Sequence, residues 1–229
     1  MCGRFTRYTD IEQIEKLFDV HDGSIVLAPS YNVAPTQPVL AVVQSEGEKR
    51  LVVMRWGLVP VWAKDISIGS RMINARAETL MEKASFKRPF KSQRCLVVSD
   101  GFFEWRKEGT KKVPVYIRLK SKKPFGFAGL YDTWTSPDGE QIVSCTIITT
   151  ASNDLIQPIH DRMPAILPKR QYKTWLDPKN QRFDALSALL APYPAAEMEA
   201  YEVSRLVNAP ANNSPQCIEP VPRTVPDKA

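Results

Sequence analysis

Cys95-Leu96-Val97-Val98-Ser99-Asp100-Gly101-Phe102-Phe103-Glu104-Trp105-Arg106 decides the fold class. Its two runs of β-branched and aromatic residues predict strands over Cys95–Ser99 and Phe102–Arg106. Working outward, the same signal recurs at Val113–Leu119, Phe125–Tyr131 and Ile142–Thr149, and upstream at Val39–Val43 and Leu51–Trp56. Tyr31-Asn32-Val33-Ala34-Pro35 reads as irregular and locked by its proline. Thr9-Asp10-Ile11-Glu12 has the form of a capping box, followed by Ile11, Ile14, Leu17 and Phe18 on one helical face. That helix is expected to end near Asp19, before the turn-like His21-Asp22-Gly23. Short helices are expected around Ala77–Glu82, Lys169–Trp175 and Ala185–Leu190. Closely spaced strands with helices before and after them predict an α+β fold with a twisted, barrel-like, mostly antiparallel β core flanked by short helices. No repeat or dividing linker is visible, so one domain over residues 1–221 and a mobile tail over 222–229 are expected.

The 229 residues suffice for one substantial core. No run approaches the roughly 18 consecutive apolar residues that span a bilayer, and Met1-Cys2-Gly3-Arg4-Phe5 has no apolar run behind its basic residue. A soluble, cytoplasmic monomer without membrane contacts is expected. The formal charge of +6 comes from 31 basic and 25 acidic side chains. It is unevenly placed: residues 1–130 carry 22 basic and 13 acidic groups, and the remainder 9 and 12. The window from Lys83 to Lys123 alone holds 13 basic residues against Asp100, Glu104 and Glu108. Such a window favours a polyanion, nucleic acid first, with a solvated lysine-rich face as the equal alternative. The four cysteines include no C-x-x-C pair, and with two histidines neither a metal site nor a cofactor is expected. Cys95 and Cys145 lie in apolar runs and read as buried small hydrophobes.

Cys2 stands apart because of its position. Removal of Met1 would leave a free α-amine beside the thiol. An α-amine has a pKa of about 7.7–8.0 against about 10.4 for lysine, making it roughly 300-fold richer in free base at neutral pH. The thiol, near about 8.5, is expected to be partly ionised as well. Two nucleophiles on adjacent carbons suit an aldehyde. The amine condenses to a Schiff base, and the sulfur then closes a five-membered thiazolidine with the advantage of an intramolecular step. Met-Cys by itself reads more readily as an incidental cysteine.

Six blocks keep Cys2 company: Met1-Cys2-Gly3-Arg4-Phe5, Tyr31-Asn32-Val33-Ala34-Pro35, Trp56-Gly57-Leu58-Val59-Pro60, Ile73-Asn74-Ala75-Arg76-Ala77-Glu78, Gly101-Phe102-Phe103-Glu104-Trp105 and Ile159-His160-Asp161-Arg162-Met163-Pro164. Together, and in this order, they resemble the signature of the SRAP (SOS-response-associated peptidase) family of abasic-site processing proteins. The resemblance runs from residue 2 to about 210. It implies a protein that senses abasic sites in single-stranded DNA, including single-strand to double-strand junctions, and shields them by a covalent thiazolidine crosslink through Cys2. An abasic site is an aldehyde on a phosphate backbone, so the readings from Cys2 and from charge meet on one substrate.

The resemblance also implies roles residue by residue. Asn74 positions the abasic sugar, since an amide donates and accepts hydrogen bonds without competing as a nucleophile; capping a helix that starts near Ala75 is the alternative. Glu104, among Phe102, Phe103 and Trp105, serves as an acid or base in Schiff-base and ring chemistry, with a surface ion pair to Arg106 or Lys107 as the alternative. His160 protonates the furanose oxygen and opens the sugar, whereas His21 reads as a surface histidine. Arg4, Arg76 and Arg162 grip phosphates, or act as structural ion-pair partners. Thr149 is a weaker phosphate contact, and Trp62 stacks on a base or wedges a junction. Family members often have two adjacent aromatics at that point; Ala63 stands in the second place here. Two other classes compete: an N-terminal-nucleophile cysteine peptidase, self-processing, and a non-covalent reader of damaged or modified DNA.

Overall fold

Alternate residues of the central strands enter two different hydrophobic clusters, which is why those strands read as unbroken apolar runs. The computed structural model describes residues 2–20 and 25–222. Met1, the turn expected at His21-Asp22-Gly23 and the residues from 223 onward lie outside the described residues. The strands are β1 (Phe5–Arg7), β2 (Ser30–Val33), β3 (Pro38–Ser45), β4 (Glu48–Trp56), β5 (Asn74–Arg76), β6 (Arg94–Ser99) and β7 (Gly101–Glu108). They continue with β8 (Lys111–Leu119), β9 (Phe125–Thr135), β10 (Gln141–Ala151), β11 (Arg162–Pro164), β12 (Ile166–Leu167) and β13 (Met198–Glu202). The helices are α1 (Ile11–Phe18), α2 (Ala84–Ser92), α3 (Tyr172–Leu176) and α4 (Phe183–Ala188).

Strands β4, β3, β6, β9 and β10 pair in sequence, and β10 pairs back to β4, which closes a five-stranded barrel. Every pairing in the ring is antiparallel except β10 with β4. Closure removes the free edges that an open sheet would expose. The short strands β5 and β11 attach to β10, and β12 attaches to β9. A second sheet runs β13-β8-β7-β1-β2. Val39, Ala41, Met54, Trp56, Cys95, Val97, Phe127, Cys145 and Ile147 pack with Phe5, Phe102, Val115 and Ile117 of the second sheet. The alternate set, Leu40, Val42, Leu96, Val98, Ala128, Leu130 and Ile148, packs with Ile14, Phe18, Phe90, Trp175 and Leu186 of the helices. The α+β fold with a barrel core is the one expected, and both Cys95 and Cys145 are fully buried in it.

Three local expectations are corrected. Thr9 does not cap α1: the N-cap is Asp10 without a side-chain bond, while the Thr9 hydroxyl and amide both donate to buried Asp100. Tyr31–Val33 is strand rather than irregular chain, because β1 pairs it through Phe5↔Val33. The helix expected at Ala77–Glu82 is a single 3-10 turn, Ala77–Thr79, and the α-helix lies at Ala84–Ser92 instead. Pro89 inside α2 argues against a helix on sequence alone. Buried Phe86 and Phe90, one turn apart, hold the helix against the core.

Not all of the basic window is surface. Arg94 is buried and donates to the carbonyls of Phe90, Lys91, Trp175, Asp177 and Asn180, tying α2 to α3. Arg88 pairs with buried Asp132, Arg106 with Glu108 and Glu202, and Arg118 with Glu199. The remaining lysines separate into patches on α2, at the β7–β8 hairpin, and at the far end of β8.

The segment after β4 crosses itself closely. Gly57 has φ +121°, and a Cβ there would stand 2.6 Å from the Gly69 carbonyl oxygen. Gly57→Ala is expected to cost about 2 kcal/mol through positive-φ strain and this clash, lowering Tm by about 4–8 °C at this chain length. Thermal unfolding checks it; an unchanged Tm would mean that the crossing relaxes freely.

Candidate active site

β1 and β7 run antiparallel, with Phe5 opposite Phe102 and the Phe103 amide donating to the Arg4 carbonyl at 3.0 Å. Continuing that register carries the chain's start past Glu104, so the sheet itself brings Cys2 and Glu104 together. Cys2 is fully buried, with its Sγ 3.8 Å from the Arg4 carbonyl oxygen. Burial, reinforced by the Glu104 carboxylate, holds its thiol far above the usual range. The expectation of a partly ionised thiol is therefore corrected: Cys2 rests as the neutral thiol. Glu104 is also buried, and burial raises its carboxyl pKa; the positive amino terminus and His160 oppose that rise.

Asn74 opens β5 rather than capping a helix, held parallel to β10 opposite Ile147. Its Nδ2 donates to the Cys2 carbonyl at 2.8 Å. Its buried Oδ1 accepts no hydrogen bond among the described residues. Asn74 thus fixes the backbone of Cys2 and keeps one acceptor in reserve. The Trp56 indole and the Ile147 amide both donate to the Ile73 carbonyl, which anchors the strand just before it.

His160 sits in the turn between β10 and β11, its amide bonded to the Ile156 carbonyl at 2.9 Å. Its Nδ1 accepts from the Arg162 amide at 3.0 Å and lies 2.8 Å from Asp161 Oδ1. Glu104 and His160 line one cleft of about 480 Å³, with Trp105, Lys107, Lys112 and Asn208. A larger cleft of about 750 Å³ lies between Arg106, Leu155, Pro158 and Glu202, but Arg106 and Glu202 neutralise each other there.

The sequence-derived phosphate contacts divide. Arg76 is exposed, two residues from Asn74 on the same side of β5, and has no side-chain hydrogen bond among the described residues. Arg162 makes a two-pronged pair with Glu78, at 2.7 and 3.0 Å, and donates to the Thr149 carbonyl. Arg4 donates to Asn32 Oδ1 and to the Val207 and Asn208 carbonyls. Arg162 thus has the structural ion pair weighed as its alternative, whereas the partners of Arg4 are neutral amide and carbonyl oxygens. Thr149 is fully buried, paired with both Arg76 and Pro164, and its hydroxyl lies 3.4 Å from both the Ala75 carbonyl and the Arg162 guanidinium. Trp62 is 55% exposed, on a loop held by Asp132, which accepts from the Val61 amide, and by Trp134, whose indole donates to the Ala63 carbonyl.

Lys112 and Asn208 have no part in the sequence reading, and Lys107 enters it only as an alternative ion-pair partner of Glu104. Asn208 stands 104 residues from Glu104 in the chain, and no local pattern announces it. Its Oδ1 accepts from the Trp105 indole at 2.8 Å, and Asn32 binds its neighbours by donating to the Val207, Ala209 and Asn212 carbonyls. Asn32 and Arg4 thereby clasp this late segment against the site.

Comparisons with known proteins identify the family. The family model described as SOS response associated peptidase (SRAP) matches residues 1–210. Abasic site processing protein YoqW of Bacillus subtilis (strain 168) is 50% identical over 224 residues, 96% of this chain and 99% of that protein. Abasic site processing protein HMCES of Xenopus tropicalis is 34% identical over 83% of this chain and 65% of its own length. A crystal structure of a Bacteroides thetaiotaomicron protein superposes with a TM-score of 0.87 at 30% identity, covering 96% of this chain and all of that one. A barrel that seats an N-terminal Cys-Gly-Arg-Phe beside Glu104 and His160, matched along nearly its whole length, places this chain in the SRAP family.

Proposed function

We propose that this chain forms a covalent crosslink with abasic sites in single-stranded DNA, through Cys2 after Met1 is removed. The observation that carries the reading is the position of Cys2, its carbonyl held by Asn74 and its thiol coupled to the carboxylate of Glu104, which in turn lines a cleft with His160. His160 gives a proton to the furanose oxygen while the C1 hydroxyl releases its own proton to water, and the sugar opens to its aldehyde. The free α-amine attacks that carbon, and water leaves as the imine forms. The Cys2 sulfur then adds to the imine carbon, while its proton passes to the imine nitrogen by way of Glu104. The balance is aldehyde plus aminothiol giving thiazolidine plus water. A neutral, buried thiol fits this order, because the amine acts first and sulfur closes the ring intramolecularly. Reversal follows the same proton path.

Arg76 is the phosphate contact that the geometry favours, and exposed Trp62 offers a stacking face at a junction. A peptidase nucleophile would need its thiolate, and burial opposes that form of Cys2.

An oligonucleotide bearing one abasic site tests the reading. A protein–DNA band that survives denaturation is expected, and it disappears when the aldehyde is first capped with a hydroxylamine. A band that resists capping, or none at all, would refute the proposal.

A further inference from the structure

The second sheet leaves part of one strand edge bare. β1 covers β7 only as far as the Arg4–Phe103 bond, and in continued register Cys2 lies beside Trp105. Beyond that point Arg106–Glu108 pair with β8 alone among the described residues. Lys107 and Lys112 sit directly opposite each other across β7 and β8, next to the two-residue Gly109-Thr110 loop, and both line the cleft of Glu104 and His160. Like charges placed opposite on a sheet cost stability. Two of the neighbouring acids, Glu108 and Glu202, are taken by Arg106.

Residues facing each other across two strands have Cβ atoms about 5 Å apart, so two lysine ammoniums converge readily on one anion. From Glu104 to Lys107 is about 10 Å along the strand, within reach of a nucleotide adjoining the one held at Cys2. We propose that Lys107 and Lys112 together hold one phosphodiester on one side of the abasic nucleotide, so that the strand leaves the site along the bare edge of β7. This rests on the crosslinking function above, and it adds a binding subsite to it.

The test removes the covalent step. In a Cys2→Ala background, non-covalent binding to a single-stranded oligonucleotide carrying a tetrahydrofuran abasic analogue is measured across a salt series. One phosphate released from contact lowers the magnitude of the log K against log salt slope by about 0.7 for single strands. Lys107→Gln/Lys112→Gln is expected to produce that change, with weaker binding at low salt. Lys120→Gln/Lys123→Gln removes the same charge from the opposite end of β8, about 25–30 Å away, and is expected to leave the slope alone. An unchanged slope, an equal change in both pairs, or a change near 1.4 would each overturn a shared phosphate at Lys107 and Lys112. Relief of like-charge repulsion predicts no loss of Tm in the hairpin pair, so unfolding cannot imitate the result. Failure of the wild-type chain to form a denaturation-stable adduct would instead defeat the crosslinking function, which this measurement does not use.

Discussion

Cys2→Ala is expected to lose the denaturation-stable adduct entirely, and Cys2→Ser to retain only an imine that hydrolyses on work-up. The alanine variant keeps the α-amine and can still condense with the aldehyde. It has no second nucleophile, and an imine in water reverts. In serine the weaker hydroxyl nucleophile replaces sulfur. In the wild type, ring closure is intramolecular, and well-oriented intramolecular steps have effective molarities of about 10⁵ M or more. The difference between a trapped and an untrapped imine is therefore several orders of magnitude in surviving product. Borohydride reduction before denaturation separates the outcomes: it should rescue a crosslink in both variants by freezing the imine. Intact mass should place the wild-type adduct on a chain lacking Met1. Cys2 is fully buried, so Cys2→Ala also trims the core. A Tm recorded alongside shows that lost product reflects lost chemistry. A stable unreduced adduct from Cys2→Ser would contradict closure through sulfur.

The barrel was legible because its strands are buried on both faces. Cys95–Ser99 and Phe125–Tyr131 read as strands without knowledge of their partners, since each contributes alternate side chains to both clusters. The strands missed are those created by their neighbours. Asn74-Ala75-Arg76 becomes β5 only because β10 offers it an edge. The same edge buries Thr149: β10 runs on to Ala151 with β5 and β11 laid against it, so a residue expected to end its strand lies within it. At the site, the chemistry of Cys2 follows from its place in the chain, but the state of its thiol does not. Ionisation depends on burial and on Glu104, 102 residues away, and neither is visible in Met1-Cys2-Gly3. Lys107 and Lys112 were legible only as charge. Their meeting in the cleft required the hairpin register.

Glu104→Gln is expected to move activity and stability in opposite directions. Glu104 lies under β-sheet and cleft with a carboxyl pKa raised by burial, only partly offset by the amino terminus and His160. A carboxyl whose pKa is higher folded than unfolded binds its proton more tightly in the folded chain. Its contribution to stability is complete below the unfolded value of about 4.3 and is lost as pH rises through the folded value. At pH 7.5 the buried carboxylate is thus a net cost, and glutamine removes the charge while keeping the shape. The variant should melt above the wild type at pH 7.5, with the gap closing as pH falls toward about 4, where the wild-type carboxyl becomes neutral too. Crosslinking should meanwhile slow by about 10²-fold, the usual worth of a positioned acid–base group, because glutamine cannot carry the thiol proton to the imine nitrogen. Reversal of a preformed adduct should slow by a similar factor, since both directions share that proton path. Thermal melts from pH 4 to 8 and single-turnover crosslinking of the same preparations measure the two effects together. A variant that is slower but no more stable at pH 7.5 would mean that the amino terminus and His160 fully compensate the buried charge. A more stable variant with undiminished rate would mean that the thiol proton travels by another route.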